Sequence, residues 1–420
     1  MRSGLPNSSA PTRNAGIETR KRKGVTSESL RATNLSLVLS HILAKPGMVS
    51  RADIAGYTGI TRATASRLVD DLMHSGLVSE LSPAAQPTRG RPATRLTPQA
   101  RTAFAIGLEV NVSYLAARAV DLTGTVLADT RISGDFAGSH PKTTLTQLAS
   151  LGRSVLSEAI ASGPVHPRLV GSGLALPGLV SGDALAVAPN LGWRDLSRVD
   201  LITPLADLHP SLVANEADLA AFAVANPRPG TPEGPSSFVY VSGEVGIGAG
   251  IIVDYRPLSG AHGWSGEIGH ICVDPTGPIC SCGATGCLEA YLGLRALARR
   301  AGLGENATPS NVAAAARDGS LSASRAINEA GAALGRALAA VINTVDIPEV
   351  LLGGVVAEIG QELIPAASAE LHNRVLQSAW SQPEFRIPNL DSLAALSVTG
   401  AAHQVLQHVV DNPLAWIESI

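Results

Sequence analysis

No run of 18 or more apolar residues occurs in this chain of 420, so no segment is long enough to cross a bilayer as a helix. The first 30 residues lack the apolar stretch of a secretory leader; they are polar and basic, and the protein is expected to stay in the cytoplasm. Cysteine is scarce: four residues, at 272, 280, 282 and 287, crowd into one short stretch. That is a poor disulfide framework and a good nest for a metal. Charged residues make up only 16% against 45% hydrophobic, the balance of an ordinary soluble protein with enough chain for two or three domains.

The net charge of −3 conceals an asymmetry. Residues 1–101 carry 15 Lys and Arg against 6 Asp and Glu, whereas the remainder carries 17 against 29. A basic front on an acidic body implies that only the front meets a polyanion.

Residues 1–26 are rich in Ser, Asn, Pro and Gly and end in Arg20-Lys21-Arg22-Lys23, the composition of a disordered basic tail. From Ser27 the pattern turns helical, with Leu35, Val38, Leu39, Ile42 and Leu43 on one stripe that Pro46-Gly47 ends. Ser50 and Asp53 have the spacing of a capping box for a short second helix, which Gly59 stops. A third helix begins near Thr61 with Ala65, Leu68, Val69 and Leu72 inward, and Gly76 ends it. A strand at Leu77-Val78, the turn-rich segment 83–92 and a return strand at Thr94–Leu96 complete a winged helix-turn-helix over residues 27–100.

Beyond residue 101 the texture is α/β, and we expect it to continue to residue 420. Strands are expected at 104–108, 114–121, 125–130, 170–176, 237–241 and 251–253, and helices at 145–161, 323–345 and 361–379. Two successive units of this kind suggest a two-lobed body with a cleft between the lobes.

The outward face of the third helix carries Thr61, Arg62, Thr64, Ser66 and Arg67. In a helix-turn-helix that face enters the major groove of double-stranded DNA, where Arg donates to guanine and hydroxyls meet bases or phosphates. The wing holds Arg89-Gly90-Arg91-Pro92, flat enough to place Arg91 in a narrow minor groove.

His270 precedes Cys280, Cys282 and Cys287 at the spacing H-x9-C-x-C-x4-C. Three thiolates and one imidazole complete a tetrahedron about zinc and leave no position for water, so one structural zinc per chain is expected in the loop 270–287. Cys272, in the apolar run Ile271–Val273, is expected to be a buried strand residue instead.

Glu267-Ile-Gly-His270 followed by Cys280-Ser-Cys282-Gly-Ala-Thr-Gly-Cys287-Leu-Glu289 resembles the zinc and sugar signature of the ROK family (repressor, open reading frame, kinase). With its winged helix the chain is similar to the xylose- and N-acetylglucosamine-repressor branch. The resemblance implies a pair of actin/hexokinase-like lobes. It also implies a sugar site: Asn190, in Pro189-Asn190-Leu191-Gly-Trp193, would meet a sugar hydroxyl, and Glu267 and Glu289 would accept from others. His270 would hold zinc through one nitrogen and face sugar with the other. Gly178, Asn215 and Glu216 would complete the wall. Operator DNA, a sugar effector and further copies of the chain, as homodimer or homotetramer, are the implied partners.

The same family contains ATP-dependent sugar kinases, which resemble one another in an Asp-x-Gly-Gly-Thr-Lys loop. Here that segment reads Glu109-Val110-Asn111-Val112-Ser113-Tyr114, without the glycines or the lysine. A second phosphate loop, Gly-Thr-Gly in kinases, corresponds to Glu244-Val245-Gly246, where an acid would repel phosphate. The Asn-Asp of the kinase base is Asn215-Glu216. A regulator without enzymatic activity is therefore expected. A ligand-free architectural DNA binder would have no use for the sugar-facing carboxylates.

Overall fold

The computed structural model describes residues 27–81, 94–161, 167–181, 184–243, 246–304, 307–388 and 395–419. The expected basic tail, the wing with Arg91, and Glu244-Val245 lie outside these residues.

Helices α1 (Ser27–Ala44), α2 (Arg51–Thr58) and α3 (Arg62–His74) precede the antiparallel pair β1 (Val78–Leu81) and β2 (Arg95–Pro98). Local chemistry fixes the boundaries as the sequence implies. Ser50 Oγ accepts from the Asp53 amide while the Asp53 carboxylate accepts from the Ser50 amide, and Gly59 ends α2 in the left-handed region. Thr61 caps α3.

The first lobe is a five-stranded sheet in the order β10-β6-β3-β4-β5. A meander of β3 (Ala103–Val110), β4 (Tyr114–Asp121) and β5 (Val126–Ser133) leads through α4 (Pro141–Ala161) to β6 (Arg168–Leu176). A small sheet of β7 (Leu179–Ser181), β8 (Ala184–Ala188) and β9 (Trp193–Leu196), then α5 (Arg198–Ile202), intervenes before β10 (Pro210–Asn215). Helix α6 (Glu216–Ala225) crosses to the second lobe. That lobe repeats the plan, in the order β13-β12-β11-β14-β15, from β11 (Phe238–Gly243), β12 (Ile247–Val253), β13 (Arg256–Pro257), β14 (Glu349–Leu352) and β15 (Glu384–Arg386). Its helices are α7 (Glu289–Leu292), α8 (Leu294–Arg300), α9 (Pro309–Arg317), α10 (Leu321–Val345), α11 (Gly354–Glu358) and α12 (Gly360–Arg374).

The helix expected to reach residue 379 ends at Arg374. The Asn343 side chain on α10 donates to the Arg374 carbonyl and accepts from the Leu376 amide, each at 3.0 Å, and draws the chain off the helical path. Cys272 is exposed, not buried in a strand. Its segment makes one isolated bridge, to Cys287, and is part of the turn around the cysteine cluster.

Two C-terminal helices, α13 (Leu396–Asp411) and α14 (Pro413–Glu418), were not anticipated from the sequence. Helix α13 lies against β3, β4 and β6 of the first lobe and against α6. The approach is so close that a Cβ on Gly400 would sit 1.9 Å from the Leu219 carbonyl oxygen of α6. Helix α14 turns back onto the winged helix-turn-helix. One apolar cluster joins Leu35, Leu39, Leu68, Leu72 and Leu96 to Val409, Leu414 and Trp416. Trp416 donates its indole N–H to the Ser75 carbonyl just past α3 at 3.3 Å, and Arg168 covers the ring at 4.4 Å.

Candidate nucleic-acid face, metal cluster and interlobe cleft

Thr61, Arg62 and Arg67 are exposed on α3, with Thr64 and Ser66 half-buried. The Thr61 and Thr64 hydroxyls bond one another at 2.9 Å. The acidic residues of the same helix are neutralised: Asp70 by Arg51 at 2.6 Å and Asp71 by Arg31 at 3.0 Å. Arg51 also reaches Glu80 and the Ser66 carbonyl, tying α2, α3 and β1 into one unit. Arg62 and Arg67 have no carboxylate partner among the described residues, so the outward face stays positive.

All seven residues picked out by the sugar-site resemblance line one cleft between the lobes: Gly178, Asn190, Asn215, Glu216, Glu267, His270 and Glu289. Segments from both lobes bring them together. Asn215 ends β10 and Glu216 opens α6; Asn190 sits in the single turn Pro189–Leu191; Glu289 opens α7. Glu267 and His270 flank the turn before the cysteines. Asn215 is committed to the fold as well, since its Oδ1 caps α6 at the Ala217 amide and its Nδ2 donates to the Gly178 carbonyl at 2.9 Å. Glu289 accepts from the Ser281 hydroxyl at 2.9 Å and the Ile247 amide at 3.2 Å. Burial raises the Glu267 carboxyl above its ordinary value, with His270 opposing and Glu289 adding.

The four ligand atoms of His270, Cys280, Cys282 and Cys287 lie within 4.8 Å of one another. Cys282 Sγ is 3.8 Å from Cys287 Sγ, and Cys280 Sγ is 3.9 Å from His270 Nδ1. A tetrahedron with ~2.3 Å metal–sulfur bonds has S···S edges of about 3.8 Å, so the donor set fits a metal. Gly286 (φ 72°) permits the turn; a Cβ there would meet the Asp274 carbonyl oxygen at 1.6 Å. Burial and then the neighbouring thiols push Cys287 up to about 12, a cost that a cation would remove by holding the thiolates. The second imidazole nitrogen, Nε2, faces away from the cluster, 4.0 Å from Glu267 Oε2.

The turn from β3 to β4 is closed by Asn111, whose Oδ1 accepts from the Ser113 amide and hydroxyl at 3.1 Å. Glu109 is buried there and accepts from the Tyr114 hydroxyl at 2.8 Å. Sequence reasoning missed Ser281 and Ser242 as cleft residues. Ser281 stands between two cysteines of the cluster, and that position was a usable signal; Ser242 is the penultimate residue of β11 and offers none.

The ROK family model matches residues 105–408, and a MarR family model matches residues 36–89. The xylose repressor of Bacillus subtilis strain 168 is 28% identical over 91% of this chain and 97% of its own length. A solved ROK family transcriptional regulator, described as a homologue of the E. coli MLC protein, superposes with a TM-score of 0.76 at 25% identity, covering 93% of this chain and 99% of that one. The ROK hexokinase of Thermus thermophilus superposes with a TM-score of 0.59 at 26% identity over 74% of this chain and 100% of its own. Unlike the regulator, it has no counterpart for about a quarter of this chain.

Proposed function

The chain belongs to the ROK family, and we propose that it is a DNA-binding transcriptional repressor whose operator affinity is set by a free sugar held between its lobes. One observation carries the reading: six polar side chains and Gly178 converge on a cleft whose wall, α6, packs on α13, the helix that leads into the core of the winged helix. In this reading Arg62 and Arg67 donate to base edges in the major groove, with Thr61, Thr64 and Ser66 on bases or phosphates, and Arg91 serves the minor groove. Glu267, Glu289, Asn190 and His270 meet sugar hydroxyls, while Gly178, Asn215 and Glu216 shape the wall.

His270, Cys280, Cys282 and Cys287 would hold one zinc, whose contribution is to fix the loop. The chain itself would sense sugar by closure of the lobes. Closure tilts α6, α13 follows through its tight contact at Gly400, and α14 changes the angle of the reading helices in a symmetric dimer or tetramer. Sugar shifts this equilibrium only by its difference in affinity for the two states.

Gel-shift titration with candidate sugars tests the reading. Sugar alone should weaken operator binding without ATP. Glu267→Gln loses a charge-assisted acceptor and should need roughly tenfold or more sugar for release, with unchanged affinity in its absence. Arg67→Ala should weaken specific binding by ~1–3 kcal/mol. If no sugar changes operator affinity, or if sugar is phosphorylated by ATP at an appreciable rate, the proposal fails.

A further inference from the structure

Cys272 is outside the four-residue group that could hold a metal, yet the backbone pairs it with one member, Cys287. The Val273 amide donates to the Gly286 carbonyl at 2.8 Å, and the Leu288 amide to the Ile271 carbonyl at 3.0 Å. These bonds flank Cys272 and Cys287, which therefore stand directly opposite in the non-hydrogen-bonded register of an antiparallel ladder. In that register the two side chains leave the same face, with Cα atoms roughly 4.5 Å apart. A disulfide requires about 4.4–6.8 Å. The Tyr291 hydroxyl, donating to Asp274 at 2.9 Å, pins the strand just beyond the pair.

The two thiols differ in access. Cys287 is fully buried, whereas Cys272 is exposed and free. Cys282 is exposed as well, but it belongs to the donor set, 3.8 Å from Cys287 Sγ. With a metal holding the other three thiolates, Cys272 is the thiol left open to an oxidant from solvent.

We propose that Cys272 and Cys287 are a redox pair, which a peroxide joins in a disulfide that strips one ligand from the metal cluster and uncouples sugar from the operator. Cys272 Sγ attacks the peroxide O–O bond, becoming a sulfenic acid as hydroxide leaves. Cys287 Sγ then attacks Cys272 Sγ; the S–S bond forms, the S–O bond breaks and a second hydroxide leaves. Each hydroxide takes a proton from a thiol or from solvent, so two electrons pass from the sulfurs to hydrogen peroxide and two waters result. Three donors remain at the cluster, in the loop that carries His270 and the Ser281 hydroxyl, the donor to Glu289 at 2.9 Å. The uncoupling rests on the sugar-sensor reading; the bond does not.

Treatment of the reduced full chain with hydrogen peroxide tests it. No Lys or Arg lies between Arg256 and Arg295, so the alkylated product is cut at Asp274, which separates Cys272 from the other three cysteines. Mass spectrometry should find Cys272 joined to Cys287, and dithiothreitol should part them. Zinc carried by the purified chain should be lost roughly tenfold faster from the wild type than from Cys272→Ser, as read with a metal-binding dye. That variant should otherwise keep its metal and its sugar response. In gel shifts the oxidised wild type should stay on its operator and need roughly tenfold or more sugar for release. A disulfide confined to Cys280, Cys282 and Cys287, no disulfide at all, or equal rates of zinc loss from the two proteins overturns the pair. An oxidised chain that sugar releases normally overturns the uncoupling. If the reduced chain answers to no sugar, the sensor reading and the uncoupling fall together, and the disulfide map still decides the pair.

Discussion

Asp218→Asn should change how stability follows pH. Asp218 lies in the first turn of α6, and its Oδ1 is shut from solvent without a hydrogen-bond partner among the described residues. Burial, and then the charge of Glu267, push its pKa from 3.8 up to about 7. Between those values the folded protein keeps a proton that the unfolded chain has released. The contribution of this group is therefore fully present below about pH 4 and is lost as pH rises towards 7. Three pH units at ~1.4 kcal/mol each bound the loss at about 4 kcal/mol. Asn cannot ionise, so the variant should gain on the wild type steadily over that window and level off above it. Thermal midpoints of the two proteins, measured side by side from pH 4.5 to 8, give the difference directly. A constant offset across the range, or a wild type that gains on the variant as pH rises, would refute the reasoning.

Cys282→Ser should lower metal content from about one zinc per chain and weaken the sugar response, because the same loop sets His270 and Glu289; elemental analysis beside sugar titration checks both. A metal-free wild type with a full sugar response would contradict it. Trp416→Ala removes the ring that α14 inserts beneath α3 and should cost ~3–5 kcal/mol of stability. Operator affinity should fall while sugar affinity in the cleft, far from the lesion, persists; equal loss of both would mean global unfolding instead.

The elements with strong local signatures were legible in the sequence. The capping box at Ser50, the left-handed stop at Gly59 and the apolar stripe of α1 each determine their element through neighbours a few residues away. The cysteine spacing pointed to the cluster of His270, Cys280, Cys282 and Cys287, which could hold a metal, for the same reason, since its turn geometry is local. The seven cleft residues were named only through family resemblance, because residues as far apart as 178 and 289 come to line one cleft by tertiary packing that no spacing encodes. The end of α12 was misread because Asn343, on another helix, terminates it. Helix α13 was passed over although Gln404, Gln407, His408 and Asp411 mark one polar side, because its first half, through His403, is mostly buried and reads as one more apolar stretch.

The shared core at Trp416 has a consequence for biosynthesis. Helices α1 to α3 are synthesised well before α14, on which they bury part of their apolar surface. Until then Leu39, Leu68 and Leu72 lack the final layer of their packing, and α3 is held only by its own small module. A nascent chain stalled before α14, or a fragment clipped between α13 and α14, would carry α3 without the layer that packs behind it. The packing behind α3 is thus completed only once α14 has been made.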